Sequence, residues 1–139
     1  MRTSRAEDLQ SAKKLFSYLN ESHDGSLHKI TFIKLREYAS DGSLVYPFDD
    51  PKDFILCNVA AELLLNSYRN AGKQQVVILN FHHVTQFKFA QDSTRDYSDI
   101  QRAIVEKGNG KNLRVRFFAG QERTEVLVLE CQNIECQEL

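Results

Sequence analysis

The stretch Gln75–Ala90, Q-V-V-I-L-N-F-H-H-V-T-Q-F-K-F-A, constrains the fold more than any other part of the chain. Its β-branched and aromatic residues alternate: extended, Val77, Leu79, Phe81, Phe87 and Phe89 share one side, while Asn80, His82, Gln86 and Lys88 take the other. A chain with such a segment near its middle must supply strands on both flanks, because a long strand left unpaired exposes a row of backbone donors and acceptors. His83 breaks the alternation. In a straight strand its imidazole would lie beside Phe81 and Phe87, where a polar group needs a partner. Phe81, Val84 and Phe87 are spaced by three, so a bend at His82-His83 that turns both rings outward fits equally well.

The flanks offer the strands. Leu27–Tyr38 favours β structure, and its apolar positions change face between Phe32 and Ile33, as in a bulged strand or one covered on both sides. Asp41-Gly42 is a tight-turn signal, and Pro47–Pro51 reads as a loop. Residues 53–70 satisfy two periods. Asp50-Pro51, Ala60–Leu65 and Ala71-Gly72 suit a helix with its start and stop, whereas Ile55, Cys57, Val59, Ala61, Leu63 and Leu65 alternate as in a strand. The polar residues from Asn70 to Gln74 lie between two apolar runs as a hairpin turn would, which favours a strand over about Ile55–Tyr68. Leu113–Ala119 and Glu125–Cys131 form a further hairpin around Gly120–Arg123, and Gln132–Leu139 adds a terminal strand through Ile134 and Cys136.

Two helices are expected. Ser4-x-x-Glu7 is a capping-box pattern, followed by an apolar stripe of Leu9, Ala12, Leu15, Phe16 and Leu19, which places a helix over about Arg5–Leu19 and a polar loop at Asn20–Ser26. A polar loop at Gln91–Asp96 precedes a short helix near residues 97–106, which Gly108-Asn109-Gly110 ends. The fold class is therefore α+β: a mainly antiparallel sheet, an N-terminal helix and one short second helix. With 139 residues, no repeat and no linker-like tract, the chain should form a single domain over 1–139.

Charge narrows the range of partners. Lys and Arg total 18 against 19 for Asp and Glu, so no global field draws nucleic acid or an anionic membrane. Lys111, Arg114 and Arg116 beside Phe118 could grip a phosphate backbone, but Glu122, Glu125 and Glu130 on the adjoining strand oppose that field, and a cross-strand ion-paired face is the simpler reading. Neither a secretion signal nor a bilayer-length apolar segment is visible, which points to a cytoplasmic protein with no membrane partner. Three cysteines without a C-x-x-C spacing agree with a reducing compartment; Cys57, Cys131 and Cys136 read as small apolar residues.

Reactive constellations are sparse. The sequence contains no G-x-S-x-G elbow, and Gly108–Lys111 lacks the strand and second half that a P-loop requires. No cofactor is implied, and no catalytic residue is assigned. A metal-dependent enzyme or small-ligand binder would have to use His23, Asp24, His28 and His83, or His82 in its place, because metals need several ligands converging on one point. From Gln121 to Leu139 the acidic residues Glu122, Glu125, Glu130, Glu135 and Glu138 form either an edge that resists aggregation or a docking surface for a basic partner; for binding a protein, Glu122, Glu125 and Glu130 and the loop around His23 and Asp24 are the candidates.

His23-Asp24-Gly25-x-Leu27-x-x-Ile30, an apolar strand pair and Phe81-x-x-Val84-x-x-Phe87 together resemble a group of small uncharacterised bacterial proteins, some of them similar to immunity proteins of polymorphic toxin systems. The resemblance spans about residues 23–90 and transfers no catalytic residue. It implies a small α+β protein that acts by binding, and a non-enzymatic toxin-neutralising role.

Overall fold

In the computed structural model, residues 2–19, 25–34, 37–38, 40–42, 44–45, 57–66, 74–90, 99–119 and 124–139 are described. The expected loops at 47–51 and 91–96, the hairpin turn at 120–123, residues 20–24 of the loop expected at Asn20–Ser26 and residues 70–73 of the turn expected at Asn70–Gln74 lie outside them, while Gly25, Ser26 and Gln74 belong to strands.

The chain begins with strand β1 (Arg2–Ala6), which turns directly into helix α1 (Leu9–Tyr18). The helix therefore starts later than the sequence suggested. Ser4-x-x-Glu7 does not cap it; Asp8 does. The Asp8 carboxylate accepts from the Ser11 backbone N–H at 2.7 Å, and Ser11 Oγ accepts from the Asp8 N–H at 3.2 Å. The bond from the Ser11 backbone N–H, and after it hydrogen bonding from the Ser11 side chain, holds the Asp8 carboxyl below its ordinary range.

Strand β2 (Gly25–Lys34) carries a bulge between Leu27 and Lys29. A separate two-stranded hairpin follows, β3 (Glu37–Tyr38) with β4 (Leu44–Val45), and Gly42 takes φ +84 at the Asp41-Gly42 turn, a conformation a side chain would strain. The ambiguous segment is strand β5 (Cys57–Asn66), so the alternation of Val59, Ala61, Leu63 and Leu65 defeats helix propensity. Strand β6 (Gln74–Val84) pairs with it and then bends into β7 (Gln86–Phe89).

The short helix expected near residues 97–106 is instead strand β8 (Asp99–Lys107). A bulge between Ile100 and Arg102 shifts the alternation, so Ile100, Ala103 and Val105 all face inward; their three-residue step imitates a helical period. Strands β9 (Leu113–Ala119), β10 (Thr124–Cys131) and β11 (Asn133–Glu138) complete the chain as anticipated.

The nine-stranded order is β1-β11-β6-β5-β2-β8-β9-β10-β7. Its two ends are joined, because β6 runs into β7 and β10 runs into β11. These two bent strands pair on both sides of their bends, with Gln132 N–H donating to His82 O and Thr85 N–H to Glu130 O, each at 3.0 Å. The sheet thus wraps on itself. Half of it, β1-β11-β6-β5-β2, packs against the other half, β2-β8-β9-β10-β7, and Phe81 from the first meets Phe117 from the second edge-to-face at 6.4 Å.

Wrapping leaves two corners where the halves part. At one, α1 lies across β1 and β8, burying Ala12, Leu15 and Phe16, with Phe16 edge-on to Phe117 at 6.2 Å. At the other, Phe32 of β2 meets Phe87 of β7 at 5.6 Å. α1 is the one helix of the described residues, and no helix among them is long and apolar enough to cross a membrane.

Candidate functional site

The second corner carries the largest exposed apolar side chains of the described residues, apart from the terminal Leu139. Register places them on the core-facing side of the wall. Phe87 and Phe89 lie opposite Leu129 and Leu127, and Phe32 opposite Val59, all three partners fully buried. Yet Phe32 is 46%, Phe87 36% and Phe89 41% exposed, and Ile33 on the reverse face is 46% exposed. Beyond the bend the wall continues while its inner lining reaches solvent. Side chains that elsewhere in this sheet meet a second layer here meet one another.

The acidic candidates are placed in three ways. Glu125, on β10, is an ion-pair partner: its Oε2 accepts from Arg116 Nε at 2.8 Å. Arg116 also reaches Glu106 at 3.5 Å, Arg114 reaches Glu106 at 3.8 Å, and the Arg116 guanidinium stacks over Phe118 at 5.0 Å. The hydrogen bond to Glu125 raises the Arg116 pKa above its ordinary value. The expected cross-strand ladder of ions is therefore present on β8, β9 and β10, and it draws in two of the three basic residues of the nucleic-acid reading.

Glu130 is only 2% exposed, although register sets it on the outward side between Gln86 and Arg114. The β8–β9 turn folds over it. Asn109 donates to the carboxylate through its backbone N–H at 3.2 Å and its Nδ2 at 3.3 Å. A Cβ at Gly108 would stand 2.7 Å from Glu130 Oε1 and 3.2 Å from the Asn112 carbonyl oxygen, so a side chain there would push on the buried carboxylate. Glu130 thus anchors a turn and presents no carboxylate to solvent. Glu122, His23 and Asp24 lie outside the described residues.

A second member of the acidic tail is buried rather than set on an exposed edge. Glu138, 6% exposed, accepts from the Tyr18 hydroxyl at 2.8 Å and Gln75 Nε2 at 3.0 Å, and faces Arg2 Nε at 3.6 Å. It ties the C-terminal end of α1 to β1, β6 and β11. A terminal Glu in a polar sequence gives no hint of this, because its partners come from the two ends and the middle of the chain.

Of the four residues of the metal reading, His23 and Asp24 lie outside the described residues. His28 is exposed on β2, and His83 sits at the bend. Among the described residues no group of three His, Cys, Asp or Glu side chains is gathered to hold an ion. Cys131 and Cys136 are buried and free; burial pushes their thiols up to about 12 and about 11, which disfavours the reactive thiolate.

The bend matches the expectation drawn from the spacing of Phe81, Val84 and Phe87. His83 takes φ +55, rare for a residue with a side chain, and its N–H donates to Asn58 Oδ1 at 3.2 Å. Alternation puts Phe87 and Phe89 on the apolar side of a strand, and in the structure that side is open to solvent.

The fold is thus an antiparallel sheet wrapped around one core, helix-covered at one corner and aromatic-lined at the other. No family model, curated protein or solved structure was found to match it.

Proposed function

We propose that this chain is a non-enzymatic protein-binding domain whose contact surface is the corner formed by Phe32, Phe87 and Phe89. The observation that carries the reading is their exposure, 36–46%, on a wall whose other inward apolar side chains, among the described residues, are buried or, like Ile30, partly buried. Exposed aromatics gathered at one place are the usual anchors of protein interfaces, where large rigid rings desolvate at little entropic cost. Ile33 on the reverse side of the same strand and Lys88 between the two β7 rings supply a mixed apolar and polar surround.

The resemblance to bacterial immunity proteins points the same way: such a protein would act in the cytoplasm by covering the working surface of a toxin. Glu125 stands on β10, the strand that pairs with β7; a basic partner would meet its carboxylate in competition with Arg116.

Affinity capture of the tagged full chain from its native host, read by mass spectrometry, tests this. A stoichiometric protein partner is expected, with capture reduced at least about tenfold by Phe87→Ala combined with Phe89→Ala, the loss that one or two interface anchors typically carry. Recovery of no partner, or capture that the double variant leaves unchanged, would overturn the reading.

A further inference from the structure

The aromatic corner is also a sheet edge. β7 closes one end of the strand order and, among the described residues, pairs only with β10. Antiparallel partners exchange hydrogen bonds at every second residue, and the Ala90 N–H donates to Val126 O at 2.9 Å. The same parity turns the backbones of Gln86 and Lys88 toward β10. Those of Phe87 and Phe89 therefore point the other way, where no described strand meets them.

An edge strand ordinarily carries charge, proline or a bulge that keeps other strands off. β7 reads Gln86-Phe87-Lys88-Phe89, exposed at all four positions and with two rings on its inner side. Lys88 alone is charged. Its cross-strand neighbour on β10 is Val128, and the Glu130 carboxylate farther along that strand is taken up by Asn109, so β10 offers the ammonium no free acid. Lys88 also decides between occupants. Two copies meeting edge to edge, with Phe87 opposite Phe89, would set the two Lys88 side chains directly against each other, and like charges there repel.

We propose that the partner enters as an extended segment that adds an antiparallel strand to β7, with apolar residues opposite Phe87 and Phe89 and an aspartate or glutamate opposite Lys88. The inference rests on the protein-binding reading of this corner and gives its partner a chemistry. Main-chain hydrogen bonds to the outward N–H and C=O groups of Phe87 and Phe89 set the register, and side chains at alternate positions select the sequence. The apolar ones fall on the inner side, toward the two β7 rings and Phe32, which already touches Phe87, and they supply the cover this wall lacks. The acidic one falls on the outer side, in a non-hydrogen-bonded pair, where side chains approach most closely.

A capped synthetic peptide, Thr-Leu-Glu-Leu-Thr, titrated into the full chain tests this by amide NMR with hydrogen exchange. Saturable binding is expected, with exchange at the Phe87 and Phe89 amides slowed at least about tenfold at saturation, while the Gln86 and Lys88 amides, which already face β10, keep their rates. N-methylation of both leucines should abolish binding; N-methylation of the glutamate, whose N–H points away from β7, should preserve it. Lys88→Glu, at an exposed position where circular dichroism should report a folded protein, should weaken binding at least about threefold, and a peptide with lysine in place of glutamate should recover it. Binding that Phe87→Ala with Phe89→Ala abolishes, yet that leaves both amides unprotected, would contradict strand addition and leave the protein-binding reading standing. No saturable binding would contradict it as well, with the partner capture still deciding that reading. Protection that grows with protein concentration in the absence of peptide would make a second copy the occupant and sink the acidic segment.

Discussion

The two corners of the wrapped sheet face the same physical problem and meet it differently. At the first, the edges are bridged by α1, whose Phe16 extends a ladder of rings through Phe117 to Phe81. At the second, Phe32 and Phe87 touch across the gap, and each keeps a third or more of its surface in water. An apolar wall is stable only where a second layer removes it from water. The difference therefore separates side chains that a second layer covers from side chains that stay in contact with water.

Truncating one ring from each corner probes that separation most strongly. Phe16→Ala should cost about 3–5 kcal/mol in denaturant unfolding, the usual loss for a buried aromatic, whereas Phe89→Ala should cost less than about 1 kcal/mol because its ring already meets solvent. Equal losses would abolish the distinction.

The helix corner has a polar fastening that can be loosened by one atom. Tyr18→Phe deletes the hydroxyl that donates to Glu138 and should cost about 1.5–3 kcal/mol, since it removes a hydrogen bond to a shielded carboxylate. Hydrogen exchange should show the loss concentrated in α1 and β1, and an effect confined to β7 would contradict the assignment.

Beside the aromatic corner, the corresponding fastening is Glu130 under the β8–β9 turn. Gly108→Ala forces a Cβ onto its carboxylate and should cost about 1–3 kcal/mol, as other overpacked sites do. Glu130→Gln in the same chain should restore little, because the clash is steric. Full recovery would point to charge instead.

The smallest effect belongs to the surface ladder. Arg116→Ala should change stability by less than about 1 kcal/mol, and the change should shrink further in high salt, because Arg116 and Glu125 both remain about one third exposed.

How much of this was legible depended on what periodicity can report. Alternation and helical spacing competed over β5, and the polar residues between two apolar runs decided for a strand, whereas alternation alone fixed which sides of β6 and β9 face inward, because burial of one face imposes that spacing directly. Bulges cut both ways: the three-residue step at Phe81 and Val84 announced the bend, while the same step at Ile100 and Ala103 was read as a helix. The capping box was missed by one turn, since Ser4-x-x-Glu7 and Asp8-x-x-Ser11 both offer an acceptor ahead of the same apolar stripe. Periodicity tells which side of a strand is apolar. It does not tell what covers that side, so the open corner, the closure of the sheet through its two bent strands and the burial of Glu130 and Glu138 emerged only from pairing in space.

Fluorine NMR of the chain labelled with 4-fluorophenylalanine tests the contrast between the corners most directly, with each of the nine phenylalanines assigned by substitution. On exchange from water to deuterium oxide, Phe32, Phe87 and Phe89 should show the solvent-isotope shift of exposed rings, and Phe16, Phe81 and Phe117 should show none. Rings at positions 87 and 89 that behave like Phe117 would mean the second corner is as well covered as the first.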